Sequence, residues 1–142
     1  ELTAGVFDEH GFFRTGDMGR FDADGFLYIT GRIKEMLIIS GENVFPREIE
    51  EVLFQHPDVV DVAVIGVPDD RWGERLKAVV VLKPGSALTA SNVAAFCAGK
   101  LAAYKIPKDI AVIDALPRNP TGKILKRELR KPYWGDKQRQ VN

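Results

Sequence analysis

Two stretches rich in β-branched residues constrain the fold of this 142-residue chain more than any other feature. They cover residues 59–67 and 76–82, and a polar loop over residues 68–74 joins them. Branching at Cβ restricts side-chain rotamers in a helix but packs well on a pleated sheet. The pattern therefore predicts two strands at the centre of the chain.

Helical patterns lie on both sides of these strands. The first helix is predicted to begin at Pro46, which suits a first helical turn, and to end before Pro57. A second helix is predicted to begin at a cap formed by Thr89 or Ser91. A third, short helix is predicted over residues 124–130. Each helix thus follows a strand or precedes one.

Two shorter apolar runs complete the order of elements. Residues 36–39 and 110–113 are predicted to be strands, which gives β-α-β-β-α-β-α from residue 34 onward. This order is typical of an α+β fold, a small mixed domain with a short β-sheet flanked by helices. The polar tail after Pro132 is predicted to fray.

Residues 1–33 have a different sequence pattern, in which short apolar runs alternate with Gly and Asp turns. Asp24-Gly25 between two such runs predicts a β-hairpin. A stretch this short cannot cover both faces of a sheet, and the chain opens at Glu1 without Met. We therefore expect residues 1–33 to be the β-rich end of a larger N-terminal domain and residues 34–142 to form a separate C-terminal domain.

Charge and cysteine content exclude several classes of function. Twenty basic residues balance twenty acidic ones, so the chain has no overall field for nucleic acid or an anionic membrane. Cys97 is the single cysteine, which excludes an internal disulfide, and it is predicted to be a core residue. The histidines His10 and His56 lack metal-ligand spacing, and no apolar run approaches the roughly 18 residues of a membrane span. We expect no metal site in this chain and a cytoplasmic location.

Four short motifs carry the functional prediction, and their common order matters more than any one of them. They are Phe-Arg-Thr-Gly-Asp at 13–17, Gly-Arg-Ile-Lys-Glu at 31–35, Ser-Gly-Glu-Asn-Val-Phe-Pro-Arg-Glu-Ile-Glu at 40–50 and Pro-Arg-Asn-Pro-Thr-Gly-Lys-Ile at 117–124. Together they resemble the last third of the adenylate-forming superfamily of acyl-CoA synthetases, firefly luciferases and peptide-synthetase adenylation domains. The resemblance extends from about residue 11 to residue 129.

The resemblance implies that Asp17 and Arg32 bind the nucleotide. A carboxylate can accept two hydrogen bonds from the cis diol of a ribose, and a guanidinium offers a planar fork to phosphate or ribose oxygens. The plain alternatives are a turn Asp that caps its own backbone and a solvated surface Arg. The motifs favour the nucleotide reading for Asp17 and leave the two readings of Arg32 about equal.

Lys123 is predicted to be the catalytic lysine of adenylation. The reaction brings a carboxylate against the α-phosphate of ATP, and a compact ammonium can bridge these anions and stabilise the developing charge. A phosphate loop of the Gly-x-x-x-x-Gly-Lys-Ser/Thr kind does not fit, because Pro117 and Ile124 stand where Gly and Ser/Thr are required. A solvated lysine before a terminal helix is the other reading.

The same resemblance assigns residues to a second, thioester-forming step. Lys34 corresponds to the hinge between two domain orientations, and Gly41 and Glu42 to the tunnel for the pantetheine thiol. Gly41 would also serve simply as a tight-turn residue. Trp72 and Lys105 are less specific candidates for contacts to CoA, within a set of nearby cations at positions 71, 75, 77 and 108.

The function predicted is that of an acyl-CoA synthetase acting on a fatty or related carboxylic acid, with this chain as a mobile lid that is inactive alone. ATP, CoA and Mg²⁺ are the expected cofactors and co-substrates, with Mg²⁺ held mainly by the N-terminal domain. A homodimer of the full enzyme is left open. The alternatives are an adenylation domain that loads a carrier protein and a non-catalytic α+β binding module.

Overall fold

The computed structural model describes residues 4–135. The strands are β1 (Asp17–Phe21), β2 (Leu27–Arg32), β3 (Leu37–Ile39), β4 (Glu42–Val44), β5 (Val59–Asp69), β6 (Gly73–Leu82) and β7 (Asp109–Val112). The helices are α1 (Pro46–Leu53), α2 (Ala90–Cys97) and α3 (Lys126–Trp134), and 3₁₀ turns lie at Ala4–Val6, Ile33–Glu35 and Ala103–Lys105. The predicted α+β class is confirmed.

The predicted central strands form the long ribbon β5–β6. They pair antiparallel from Val59 opposite Leu82 to Asp69 opposite Gly73, so the loop between them is only residues 70–72 rather than the predicted 68–74. β7 adds to β6 in parallel. A parallel neighbour requires a crossover connection, and α2 lies within it. The sheet order is therefore β5-β6-β7.

The ribbon is buried on both faces. Val62 and Val64 belong to the larger core, which α1 and α2 also enter, whereas Ala63 and Ile65 belong to a smaller core with Leu129 of α3. Successive side chains of a strand point to opposite faces. The unbroken apolar run over residues 62–65 is thus explained by helices packed on both sides.

The sequence predicts the first strand of a second hairpin, β3, but not its partner β4. β3 and β4 pair antiparallel around the two-residue turn Ser40-Gly41, where φ is 54° and 85°. Positive φ at both central positions matches the twist of the flanking strands, and glycine adopts it without steric cost. The sequence predicts a turn over residues 40–43, so β4 is an additional strand that begins within the predicted turn.

Thr89, not Ser91, caps α2. The Thr89 hydroxyl oxygen accepts a hydrogen bond from the Asn92 backbone N–H at 3.2 Å, and the Asn92 side-chain oxygen accepts one from the Thr89 backbone N–H at 3.0 Å. This reciprocal pair satisfies two backbone donors at the helix start. Cys97 ends the helix in the larger core, and burial raises the pKa of its thiol, in agreement with the predicted structural role.

We expect Thr89→Ala to lower the free energy of unfolding by about 1 kcal/mol, because the capping interaction is lost. Equilibrium urea unfolding of the chain measures this change. Ser91→Ala is the matched control, since Ser91 lies inside α2 and exposed, and it should shift stability by less than about 0.5 kcal/mol. Equal losses in the two variants would contradict the assignment of the cap.

The last helix differs from the prediction at both ends. It begins at Lys126 and continues through Pro132 to Trp134, so the prediction that the chain frays after Pro132 is wrong for Tyr133 and Trp134. The reason is tertiary: the Trp134 indole N–H donates to the backbone carbonyl of Gly66 at 2.9 Å. The remaining tail lies outside the described residues.

The predicted N-terminal hairpin is confirmed as β1–β2. The Asp22 carboxylate shapes its turn by accepting hydrogen bonds from the backbone N–H groups of Asp24 and Phe26. Phe21 and Phe26 are largely exposed. Gly31 lies so close to the Phe45 ring that an added Cβ would be 3.0 Å from it, so the hairpin approaches the start of α1 closely. The domain boundary after residue 33 stays a prediction.

Candidate functional site

The structure brings the predicted adenylation residues together in one cleft of about 490 Å³, here called the first cleft. Its lining combines the end of the β1–β2 hairpin, helix α1 and the start of α3. The lining residues are Asp17, Ile29, Gly31, Arg32, Glu35, Arg47, Glu50, Lys123, Ile124 and Lys126. Residues more than 100 positions apart in the sequence thus face the same space.

Asp17 and Arg32 are cross-strand partners in the hairpin. The Arg32 Nε donates to Asp17 Oδ1 at 3.2 Å, and the Thr15 hydroxyl oxygen accepts from the Asp17 backbone N–H at 3.0 Å. The contact with Arg32 orients the Asp17 carboxylate at the cleft wall. The alternative reading requires the Asp17 carboxylate to accept a hydrogen bond from the backbone of its own turn. Among residues 4–135 the carboxylate makes no such hydrogen bond.

The turn that carries Lys123 is built around the side chain of Asn119. Its Oδ1 accepts hydrogen bonds from the backbone N–H of Thr121 at 3.1 Å, from the Thr121 hydroxyl at 2.8 Å and from the backbone N–H of Lys123 at 2.8 Å. Gly122 takes φ 85°, which an L side chain rarely adopts. The backbone of Lys123 is therefore held rigidly.

Arg118 attaches this turn to the central sheet. One guanidinium nitrogen, Nη1, donates to the Gly122 carbonyl at 2.6 Å, and the other, Nη2, pairs with the Asp61 carboxylate on β5. Sequence reasoning missed this role. The signal was present in the motif, because an Arg sits five positions before the lysine, but its partner is 57 residues away.

The Lys123 side chain itself points into solvent-accessible space. It is exposed, and within the described part of the chain its ammonium has no hydrogen-bond or ion-pair partner. A hydrogen-bonded backbone that carries an exposed, unpaired cation is suited to meet an anion that arrives from solution, because little protein reorganisation is needed. Lys126, by contrast, is paired with two carboxylates on the cleft wall.

A second cleft of about 350 Å³ lies at the other end of the β5–β6 ribbon. Trp72 of the loop lines it and is 51% exposed, with the Arg71 guanidinium 4.8 Å from its ring centroid. Ser40 from the β3–β4 turn lines the same space. The lining residues are Ile39, Ser40, Asp69, Trp72, Glu74, Arg75, Leu76, Ala103, Tyr104, Ile106 and Lys108.

The other predicted second-step residues lie apart from this lining. Gly41 and Glu42 are exposed in the adjoining hairpin. Lys105 is held by α1, since its ammonium lies 2.7 and 2.8 Å from the two carboxylate oxygens of Glu48. Lys34 lies in the 3₁₀ turn Ile33–Glu35, between the N-terminal hairpin and β3.

Lys77, one of the cations considered for contacts to CoA, does not line the second cleft. Its side chain is buried instead. It is only 7% exposed, and its ammonium lies 2.8 Å from Asp109 Oδ2 and 4.7 Å from the centroid of the Tyr133 ring. Arg75 Nη1 approaches the same Asp109 oxygen at 3.1 Å. Burial works to raise the pKa of Asp109, but the hydrogen bond and charge of Lys77, with the charge of Arg75, lower it below its usual range.

The described residues lack two kinds of feature. Between residues 4 and 135 no group of three or more His, Cys, Asp or Glu side chains is arranged to hold a metal ion. Across the same residues no helix is long and apolar enough to cross a membrane. Residues 4–135 therefore offer no ligand cluster for Mg²⁺, which is expected mainly on the N-terminal domain.

A family model described as the AMP-binding enzyme C-terminal domain matches residues 48–123. The chain belongs to this family, which confirms the family predicted from the four motifs. The matched region ends on Lys123 and contains the whole β5–β6 ribbon.

Similar proteins are named as ligases of carboxylic acids. A fatty acid–[acyl-carrier-protein] ligase, ScoC of Streptomyces coeruleorubidus, is 48% identical over 93% of this chain. A long-chain-fatty-acid–CoA ligase, FadD13 of Mycobacterium tuberculosis, is 48% identical over 94% of it. The chain spans only 25% and 26% of these two relatives' lengths.

The fold also matches solved structures. ATP-bound MatB from Rhodopseudomonas palustris superposes with a TM-score of 0.86 at 41% identity, over 97% of this chain and 27% of that one. The apo form of the same protein superposes with a TM-score of 0.76 at 42% identity, over 97% of this chain and 28% of that one. The arrangement described here is therefore closer to that of the ATP-bound relative.

Proposed function

We propose that this chain is the C-terminal lid of an acyl-CoA synthetase and supplies the lysine that promotes adenylate formation. One observation carries the proposal: Asp17, Arg32 and Lys123 line the same cleft. The better overlap with the ATP-bound relative supports the same reading. Alone, the chain is expected to fold and to catalyse nothing.

In the first step a carboxylate attacks the α-phosphate of ATP and pyrophosphate leaves. The Asp17 carboxylate accepts hydrogen bonds from the ribose hydroxyls, and the Arg32 guanidinium orients it and contacts the nucleotide. The Lys123 ammonium approaches both reacting anions and stabilises the negative charge on the phosphoryl oxygens. Bringing two anions together is the main obstacle, and this exposed cation offsets it.

In the second step the CoA thiol displaces AMP from the acyl-adenylate. We assign this step to the other end of the ribbon, where Trp72 lines the second cleft and Gly41 turns nearby. Rotation about Lys34 would move the Lys123 face away from the active site and bring the face with the second cleft to it. Glu42 and Lys105 remain proposed contacts for pantetheine and the CoA nucleotide, although Lys105 must first leave Glu48.

The acceptor thiol has a second candidate, the phosphopantetheine arm of a carrier protein. The observation that favours it is the 48% identity to ScoC, which is named as an acyl-carrier-protein ligase. FadD13, named as a CoA ligase, is equally similar. Because both acceptors present the same thiol, the second cleft is compatible with either.

The whole enzyme is proposed to contain an N-terminal domain that binds the acid, ATP and Mg²⁺, and to act in the cytoplasm. The test is carboxylate-dependent ATP–pyrophosphate exchange by the full-length protein with a panel of fatty, aryl and short dicarboxylic acids. Addition of CoA or of a phosphopantetheinylated carrier protein then identifies the acceptor by thioester formation. Absence of exchange with every acid would overturn the proposed function.

A further inference from the structure

Lys126 lies on the wall of the first cleft, three residues after Lys123 and at the start of α3. Its ammonium is 2.7 Å from Glu50 Oε1 and 3.7 Å from Glu35 Oε2, and its side chain is 12% exposed. Lys123 and Lys126 thus differ in exposure and in ion pairing. Lys123 is exposed, whereas Lys126 is largely buried and faces two carboxylates from different elements.

Glu50 is itself fixed to the central sheet. The same oxygen that receives Lys126 also accepts a hydrogen bond from the backbone N–H of Val64 at 2.7 Å, and the Glu50 side chain is 18% exposed. Val64 is fully buried in β5. Lys126 is therefore connected through one carboxylate to a buried strand of the central sheet.

Glu35 connects Lys126 to the opposite wall. It lies in the 3₁₀ turn Ile33–Glu35, which directly follows Arg32 at the end of β2. The ammonium of Lys126 thus bridges the segment after Arg32 and helix α1, immediately beside the Lys123 turn. A displacement of about 1 Å in a reacting group can cost on the order of 100-fold in rate.

We propose that Lys126 is a positioning residue for Lys123 in adenylate formation. It acts through Glu50 and Glu35 and does not contact the reacting atoms. Its ion pairs fix the start of α3, and with it the preceding turn, at a set distance from Arg32. This inference rests on the proposed function, because it concerns the same reaction.

The test compares Lys126→Met, which keeps the aliphatic stem, with Lys126→Arg in the full-length enzyme. We expect Lys126→Met to lower kcat of ATP–pyrophosphate exchange by about 10-fold or more, with a smaller change in the KM for ATP. Lys126→Arg should restore most of the rate. Lys131→Met is the matched control, because exposed Lys131 pairs with Glu128 of its own helix, and it should leave exchange unchanged.

Two readouts separate positioning from a general structural role. Thioester formation from a preformed acyl-adenylate should stay within about twofold of wild type, and circular dichroism should show a folded protein. Equal losses in both half-reactions would overturn the proposal. Glu50→Gln provides a second variant that keeps an oxygen for the Val64 N–H.

The double variant Lys126→Met/Glu50→Gln shows whether Lys126 acts through Glu50. If it does, the loss of exchange in the double variant should be no larger than in Lys126→Met alone. Losses that multiply would mean that Lys126 and Glu50 act independently, and they would overturn the proposal that Lys126 acts through Glu50. If the wild-type enzyme shows exchange and Lys126→Met does not alter it, this inference alone is overturned. If the wild-type enzyme shows no exchange, the proposed function is overturned.

Discussion

Replacing Lys123 with alanine is expected to reduce carboxylate-dependent ATP–pyrophosphate exchange by about 10²- to 10³-fold in the full-length enzyme. Losses of this size follow when one group that stabilises developing transition-state charge is removed. The fold should be unaffected, because Lys123 is exposed and its turn is held by the Asn119 side chain and by Arg118. Exchange of labelled pyrophosphate into ATP measures the effect.

The second half-reaction provides the internal control for this variant. Thioester formation from a preformed acyl-adenylate should proceed at nearly the wild-type rate, because it does not use the Lys123 face. Lys83→Ala is the matched surface control, since exposed Lys83 lines neither of the two clefts described. Undiminished exchange in Lys123→Ala would refute the assignment of this lysine.

The substitution Asp109→Asn is expected to lower the free energy of unfolding by about 3 kcal/mol at pH 7. It removes the carboxylate that faces the buried Lys77 ammonium, and an uncompensated buried charge is costly. Equilibrium urea unfolding of wild type and variant measures the difference. Asp114→Asn is the matched control, because Asp114 is exposed, and its effect should be below about 0.5 kcal/mol.

The effect of Asp109→Asn should also depend on pH in one direction. The folded-state pKa of Asp109 is lowered, so its stabilising contribution is complete above the unfolded-state pKa of about 3.9. It is lost as the pH falls through the lower folded-state value. The stability difference between wild type and Asp109→Asn should therefore shrink below about pH 4. A difference that stays constant down to pH 3 would mean that the charge of Asp109 is not the cause.

Local sequence patterns predicted the elements of this fold well where propensity and packing agree. The β-branched runs became β5 and β6, Pro46 begins α1, and Asp24-Gly25 lies in the turn of the N-terminal hairpin. The element that was missed, β4, is three residues long and depends on a turn with two positive φ values. The sequence does predict a tight turn at Gly41, but three residues are too few for an alternating strand pattern to be recognised after it.

The candidate site was predictable only in part. Asp17, Arg32 and Lys123 followed from the motifs, and the structure brings them to one cleft. Long-range partners did not follow, because the contacts of Arg118 with Asp61, Lys126 with Glu50 and Trp134 with Gly66 join residues 57 to 76 positions apart. No local pattern encodes such pairs, which form only when the helices pack on the sheet.

The β5–β6 ribbon has the Lys123 turn attached near one end, through Asp61, and Trp72 in the loop at the other. The eight residue steps from Asp61 to Asp69 correspond to about 26 Å of extended chain. A nucleotide-sized molecule bound at one end therefore leaves the other end unobstructed. Under the proposed function, a compound bound in the second cleft would therefore leave the surface around Lys123 open and would be expected to inhibit thioester formation rather than adenylate formation.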